Sequence, residues 1–478
     1  MHGLIKDFKN TPMVWGGVFL LLIVVQTLIP AMRIMMSNAA ASRGDVVWGE
    51  KAGWFVSSMS GLTYPVTLFA GVLVIMMVVS ASIQQRRSDL ALFSLQGATP
   101  MQLTLRTCAQ VLLLDAAASV ISLFISPQLA RLLFSFFAVQ LEAPGLPYTA
   151  VGIPRMVLSW SYGIGIGFVV AVVGAFLTIR TVSRISPVEA LREAASTPKT
   201  VSLPKRVLAL AALAGSIAVV TCGMFITKHV DIEQIQQLSF SALSPLFYCC
   251  VLASVLFVAA ICFAGPAVLA RTVRTWTAVL PFRLPSWRIA CGQAVSRARR
   301  STSTVIPLVA GMILVMSYTG LTQIFRATLM MMPRNLAAHW EVPGFVRILA
   351  LLGPVLLLVL TGVLAGYLIS TRGRGLDLAL VSVTGAEPRQ LSMVAAFDGL
   401  ITAVTAAVLA FIASMLVTSI FAVGMYKAFG LVGFAVPWKQ WLFILIVLLP
   451  VSTGISWLTV RRSLQESPAA YIARYSDE

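Results

Sequence analysis

Residues 85–103 read QRRSDLALFSLQGATPMQL, and most of this stretch occurs twice. From Asp89 the chain reads DLALFSLQGATPMQL; 288 positions later, from Asp377, it reads DLALVSVTGAEPRQL, identical at 10 of 15 positions. Each copy follows one long apolar segment and precedes another. Two related halves are expected, each carrying the same polar device between two membrane spans.

Working outward, the rest of the chain is apolar. Of 478 residues, 58% are hydrophobic and only 11% charged, with a mean hydropathy of +0.91. Apolar runs of the length a transmembrane helix requires recur throughout. The expected fold class is an all-α polytopic membrane protein with ten transmembrane helices, near 13–37, 61–83, 107–138, 156–180, 206–228, 243–270, 304–326, 346–370, 392–425 and 440–460. Pro127 lies inside the third and is expected to break it into a span plus a surface segment. The device places spans one to four and seven to ten in correspondence, with five and six inserted between. An even insertion keeps the two four-helix repeats parallel. The boundaries follow: 1–195 for the first four-span unit, 196–285 for the linker with two spans, and 286–478 for the second unit.

A net charge of +18 would suit a nucleic-acid partner, but its distribution has another cause. An even number of spans puts both termini on one side. That side holds 24 of the 35 Lys and Arg residues. The opposite loops hold six (Arg43, Lys51, Arg155, Arg334, Lys427, Lys439), and five more (Arg33, Arg131, Lys228, Arg326, Arg347) sit at helix ends where long side chains snorkel. The positive-inside bias puts both termini in the cytoplasm and the protein in the cell membrane, with no nucleic acid needed. Lys6 and Lys9 precede a long apolar run without an obvious cleavage site, which reads as a retained first span. The outer loops, about 23 residues at 38–60 and about 19 at 327–345, are too short for a sizeable external domain.

The device has its own physics. Arg86 and Arg87 end span two. Asp89 is placed near the positive end of a short helix. Leu90, Phe93 and Gly97 form one stripe, and Gly97 suits a left-handed helix stop. Thr99-Pro100-Met101-Gln102 reads as cap, first-turn proline and reciprocal glutamine. The second copy keeps Asp377, Gly385, Pro388 and Gln390, but Glu387 replaces the capping threonine, which should weaken the cap. A plain connecting hairpin would explain one copy. Two copies, better preserved than the spans they join, point to a docking element. Ser186-Pro187-Val188-Glu189 is a further capping box, ahead of a linker at 194–205.

RRSDLALFSLQGATPMQL resembles the signature of FtsX-like ABC transporter permeases of the MacB type. VSRARRSTSTVIPLVAGMIL, leading into span seven, and SPVEALR at 186–192 resemble other parts of that family's pattern. The resemblance implies that the device is the coupling helix receiving the stroke of a cytoplasmic ABC ATPase. Arg86, Arg87, Asp89, Leu90, Phe93 and Gly97 would form the first contact set, and Arg374, Asp377, Leu378, Val381 and Gly385 the second. One chain would engage two ATPase copies. ATP and Mg would sit on that partner, and this chain would bind no cofactor. The large domain that macrolide exporters carry between spans one and two is missing here.

Inside the membrane, Asp115 in span three and Asp398 in span nine are costly residues, read as one polar brace per half or as satisfied by a neighbouring helix rather than as a proton relay. Gln110 is the nearest polar side chain to Asp115 on its span, five positions and about 140° away round the helix. The glycine run Gly163, Gly165, Gly167 is read as close helix packing.

No GxxxxGK[ST], HExxH or GxSxG occurs, and the six cysteines form no CxxC pair. Enzyme chemistry and a metal site are therefore not expected. Three readings stay open. The first is an ABC permease exporting or extracting a membrane-embedded or amphiphilic substrate, such as an antimicrobial peptide, hydrophobic drug or lipid. The second is an ATP-driven transmitter acting on a sensor kinase or other partner without net transport. The third is a proton-coupled carrier, which would need no docking element.

Overall fold

A computed structural model describes residues 12–140, 146–148, 152–179, 203–226, 244–279, 284–300, 305–332, 344–383 and 385–463. Among these residues there are helices and turns but no strand. In chain order the helices are α1 (Pro12–Ala41), α2 (Gly49–Ser58), α3 (Tyr64–Gln85), α4 (Arg87–Leu95), α5 (Pro100–Gln140), α6 (Ile153–Ile179) and α7 (Leu203–Ile226). They continue as α8 (Ser244–Val279), α9 (Pro285–Arg300), α10 (Val305–Leu329), α11 (Phe345–Leu351), α12 (Gly353–Val383), α13 (Pro388–Phe429) and α14 (Trp438–Ser463). Nine described helical segments are long and apolar enough to cross a membrane, or ten if Phe345–Leu351 and Gly353–Ile369, bent by 64°, count as one. The protein is a multi-pass α-helical membrane protein.

Several expected loops are helical instead. Residues 38–60 hold the end of α1, a 3₁₀ turn at Ser42–Gly44 and all of α2, which joins α3 through a π-helical turn at Met59–Thr63. The described residues of the basic stretch 271–303 form the end of α8 and α9. Pro127 does not break span three: α5 runs 41 residues through it. Proline is tolerated in a membrane helix where local adjustment and neighbouring groups satisfy the freed carbonyl. The capping box at 186–189 lies outside the described residues.

Contacts divide the chain into two compact units: Met1–Pro198 with Ala350–Leu376, and Lys199–Leu349 with Asp377–Glu478. In the first, α1 is apolar on every side and lies at the centre, as such a helix must. It packs on α3, α5 and α6, and α3 also packs on α6. Leu358, Ala365 and Ile369 of α12 belong to the same buried core as Leu22, Ile29 and Val78. Close approach depends on small residues. A Cβ on Gly163 would stand 2.5 Å from Pro30 Cα, so α6 meets α1 backbone to backbone. Gly167 lies against the Gln26 side chain, whereas Gly165 faces open space. Two of the three glycines in that run are thus packing residues.

In the second unit α10 takes the central place and packs on α13 and α8. Spans five and six, α7 and α8, pack on each other, and α8 also packs on α9, α10 and α13. Phe247 of α8 meets Tyr318 of α10 edge-on at 5.3 Å. The amphipathic α9 is clamped by Trp287, which lies 6.1 Å from Trp276 and 5.5 Å from Phe397. Trp276 Nε1 donates to Thr405 Oγ1 at 3.0 Å. Ser452 of α14 donates to the carbonyl of Gly399 on α13 at 2.9 Å.

Candidate functional site: the helical hairpin at Arg86–Leu105

The first copy of the device forms a helical hairpin. The chain leaves α3 at Arg86, whose backbone (φ −102°, ψ 16°) is not helical, and turns directly into α4. The Arg86 side chain makes this break useful. It turns inward, is only 8% exposed, and donates from Nη1 to Gln110 Oε1 of α5 at 3.2 Å. Its guanidinium also stands over the Trp15 ring of α1 at 4.8 Å. A cation stacked on an aromatic face and shielded from water is held firmly. Arg86 therefore ties span two, span three and span one together where the hairpin begins.

α4 ends as its sequence dictates. Gly97 has φ +94°, the left-handed region that only glycine enters without strain. The amides of Gly97 and Ala98 bond back to the carbonyls of Ser94 and Phe93, both at 3.1 Å, which is a Schellman stop. α5 then starts with a reciprocal cap. Thr99 N donates to Gln102 Oε1 at 2.9 Å, and Gln102 N to Thr99 Oγ1 at 3.3 Å.

Two of the three residues of the stripe read from the sequence, Leu90 and Phe93, face inward, whereas Gly97 is exposed at the turn. Leu90 and Ala91 are buried. Phe93 packs against the core of the first unit, with the Arg106 guanidinium over its ring at 4.4 Å. The outer face belongs to residues that the periodicity did not single out. Leu92 is 50% exposed and Leu95 55%, three positions apart on one side of α4, with Met101 and Leu105 exposed beyond the turn. The hairpin is thus held by Arg86, Leu90 and Phe93 and presents Leu92, Leu95 and Met101. The side chains of Arg87 and Asp89 lie outside the described residues, although their backbones belong to the first turn of α4.

The second copy shares the turn and the cap. Gly385 has φ +93° and is exposed. Glu387 closes a full capping box with Gln390, whose Oε1 accepts from Glu387 N at 3.2 Å. The capping box is thus kept with Glu387 in place of the threonine, and its carboxylate suits the positive helix end. The approach differs. α12 runs unbroken from Gly353 to Val383, so Asp377 lies inside a helix rather than near the start of a short one. The side chains of Arg374, Asp377, Leu378 and Val381 lie outside the described residues.

The intramembrane polar residues pair across helices, as one of the two readings of Asp115 expects. Gln110 serves Arg86, and Asp115 finds its partner on another helix. Gln26 Nε2 of α1 donates to Asp115 Oδ1 at 2.9 Å and Oδ2 at 3.0 Å. Ser122, two turns further along α5, donates to the Gln26 carbonyl. Asp115 is thus satisfied by a neighbouring helix. Asp398 is buried in α13. The two acids are not repeat equivalents: at the spacing of 288 residues Asp115 corresponds to Ala403, and Asp398 to Gln110, the glutamine beside Arg86. Gln26, an amide midway along span one, was the signal that sequence reading passed over.

Residues 63–187 match the family described as FtsX-like permease C-terminal. The match spans α3, the hairpin, α5 and α6, so the segment described above is an FtsX-like permease segment. No curated protein matches the chain.

Proposed function

We propose that this chain, an FtsX-like permease over residues 63–187, is the membrane subunit of an ABC transporter that works with a separate cytoplasmic ATPase. The observation that carries this reading is the hairpin at 86–105. It is anchored on its inner face by Arg86, Leu90 and Phe93 and leaves Leu92 and Leu95 uncovered. An element rigid on one side and apolar on the other suits a partner that pushes on it. A push on α4 reaches α1 and α5 through Arg86, since Trp15 and Gln110 hold that side chain from those two helices. The motion would then pass along α1, the central helix of its unit.

The contact set on this reading is Leu92, Leu95, Gly97 and Met101 in the first copy, with Arg86, Leu90 and Phe93 as positioning residues. Gly385 and its neighbours serve the second copy, so one chain engages two ATPase copies from the cytoplasmic side, where both termini also lie. The substrate is membrane-embedded or amphiphilic, moved outward or extracted from the bilayer, because the stretches at 38–60 and 327–345 are too short for a sizeable external binding domain.

ATP hydrolysis by the cognate ATPase, reconstituted in proteoliposomes with and without the chain, tests this. Stimulation by the wild-type chain, lost in Leu92→Glu/Leu95→Glu, is expected. Equal hydrolysis with both chains would remove the hairpin from the mechanism.

A further inference from the structure

At the end of the first unit away from the hairpin, buried polar groups collect without hydrogen-bond partners among the described residues. Arg33 of α1 is half-buried, and its guanidinium stands over the Tyr162 ring of α6 at 4.6 Å. Both residues lie close enough to the Tyr64 phenol of α3 to act on it electrostatically. Arg33 Nε, the Tyr64 hydroxyl and the adjacent Thr63 hydroxyl are buried with no hydrogen-bond partner among the described residues. Two more such donors lie at the same level. Trp160 Nε1 is one, in a side chain packed against Ala31, Ile34 and Ala130. Ser126 Oγ is the other, one turn beyond the Ser122 that meets Gln26.

Buried donors left unpaired cost about 1–3 kcal/mol each, so a cluster of them calls for an acceptor. Asp45 and Glu50, the acids of the neighbouring described segment, are exposed. Within α1, α3, α5 and α6 the sole acid is Asp115, and it is turned to Gln26. Position decides the kind of acceptor. Arg33 lies 18 residues along α1 from Trp15, roughly 27 Å at the helical rise, which is close to the thickness of the hydrocarbon core. With Trp15 and Arg86 at one membrane face, Arg33 reaches the headgroup level of the other. Tyr162 is exposed on the flank of the unit, so that level is open from the side. The π-helical turn at Met59–Thr63 delivers Thr63 and Tyr64 to the same layer.

The geometry points to a binding site for the phosphate headgroup of an anionic lipid or lipid-like amphiphile, entering laterally past Tyr162 and held by Arg33 and Tyr64. This site stands independently of coupling to an ATPase. A guanidinium and a hydroxyl beside a phosphate make charge-assisted hydrogen bonds, which are stronger than neutral ones.

Native mass spectrometry of the purified full chain in detergent tests it, with dioleoylphosphatidylglycerol, dioleoylglycerol and inorganic phosphate as probes. The phosphatidylglycerol adduct is expected on the wild type, weakened roughly tenfold in Arg33→Gln, as loss of a charge-assisted bond implies. It should weaken several-fold in Tyr64→Phe, which removes one oxygen and keeps the packing, and stay unchanged in Arg155→Gln, an exposed arginine at the start of α6. Dioleoylglycerol should bind weakly, and inorganic phosphate should not displace the lipid. Equal phosphatidylglycerol retention in the wild type, Arg33→Gln and Tyr64→Phe would overturn the site. Displacement by millimolar phosphate would overturn the lipid assignment in favour of a free anion.

Discussion

The side-chain amide of Gln26 straddles the carboxyl group of Asp115, 2.9 and 3.0 Å from its two oxygens, across 89 positions of sequence. The pair joins the central helix of the first unit to the span that follows the hairpin. Both residues are fully buried, and Gly167 of a third helix closes over the amide. In lipid no water is available to replace a lost partner, so the pair fixes the relative level of α1 and α5.

Removing one member should therefore cost more than removing both. Gln26→Leu strands the Asp115 carboxyl and is expected to destabilise by about 1–3 kcal/mol. Gln26→Leu/Asp115→Leu should be less destabilised than the sum of the two single variants. Thermal unfolding in detergent, followed across the four chains of this cycle, measures the coupling; strict additivity would show that the contact is energetically idle.

Gly97 should resist replacement for a backbone reason. Its φ of +94° admits a side chain only with strain, although nothing stands within 4 Å of a Cβ there. Gly97→Val is expected to cost about 1–2 kcal/mol locally and to loosen the turn between α4 and α5. Hydrogen exchange at Gln96–Gln102 should rise while α1 stays protected. Gly385→Val should act alike in the second copy.

Leu92 and Leu95 should separate stability from function. Both are exposed, so Leu92→Glu and Leu95→Glu should shift unfolding by no more than about 0.5 kcal/mol. Leu90→Glu places a charge in the unit's own core and should unfold the hairpin. Comparing the three melting curves tests which face of α4 is inner.

Cys291, in the amphipathic α9, should react slowly. Burial pushes its thiol above the usual range, and a hydrogen bond with Thr277 opposes this only in part. The neutral thiol is thus favoured at pH 8, and the thiolate, which is the nucleophile, forms only at higher pH. Iodoacetamide should label it more slowly at pH 8 in the folded chain than in detergent-denatured chain, and the gap should narrow as pH rises. Equal rates at pH 8 would show that the Trp276–Trp287 clamp opens.

Much of this molecule was legible from residue order because bilayers impose strong rules. Apolar length fixes spans, and the turn chemistry of Gly97, Thr99, Pro100 and Gln102 is local, so each reads directly. What was not legible concerns faces and partners. A stripe at Leu90, Phe93 and Gly97 shows that α4 has sides, but not which side meets the bundle. Gln26 and Asp115 are joined only by tertiary packing, and an amide in an apolar span carries no pointer to its acid. Arg86 reads as a surface cation beside Arg87 until Trp15 is seen beneath it. The assignment of Ala350–Leu376 to the first unit has no local signal in the sequence.

The central claim is that the exposed face of α4 meets the ATPase. The most direct measurement is photo-cross-linking with benzoylphenylalanine placed at Leu95, at Phe93 on the inner face, and at Phe124, which is exposed on α5 within the span. With the cognate ATPase present, cross-links are predicted at position 95 and absent at 93 and 124. No ATPase cross-link at 95, or equal cross-linking at 124, would contradict the account.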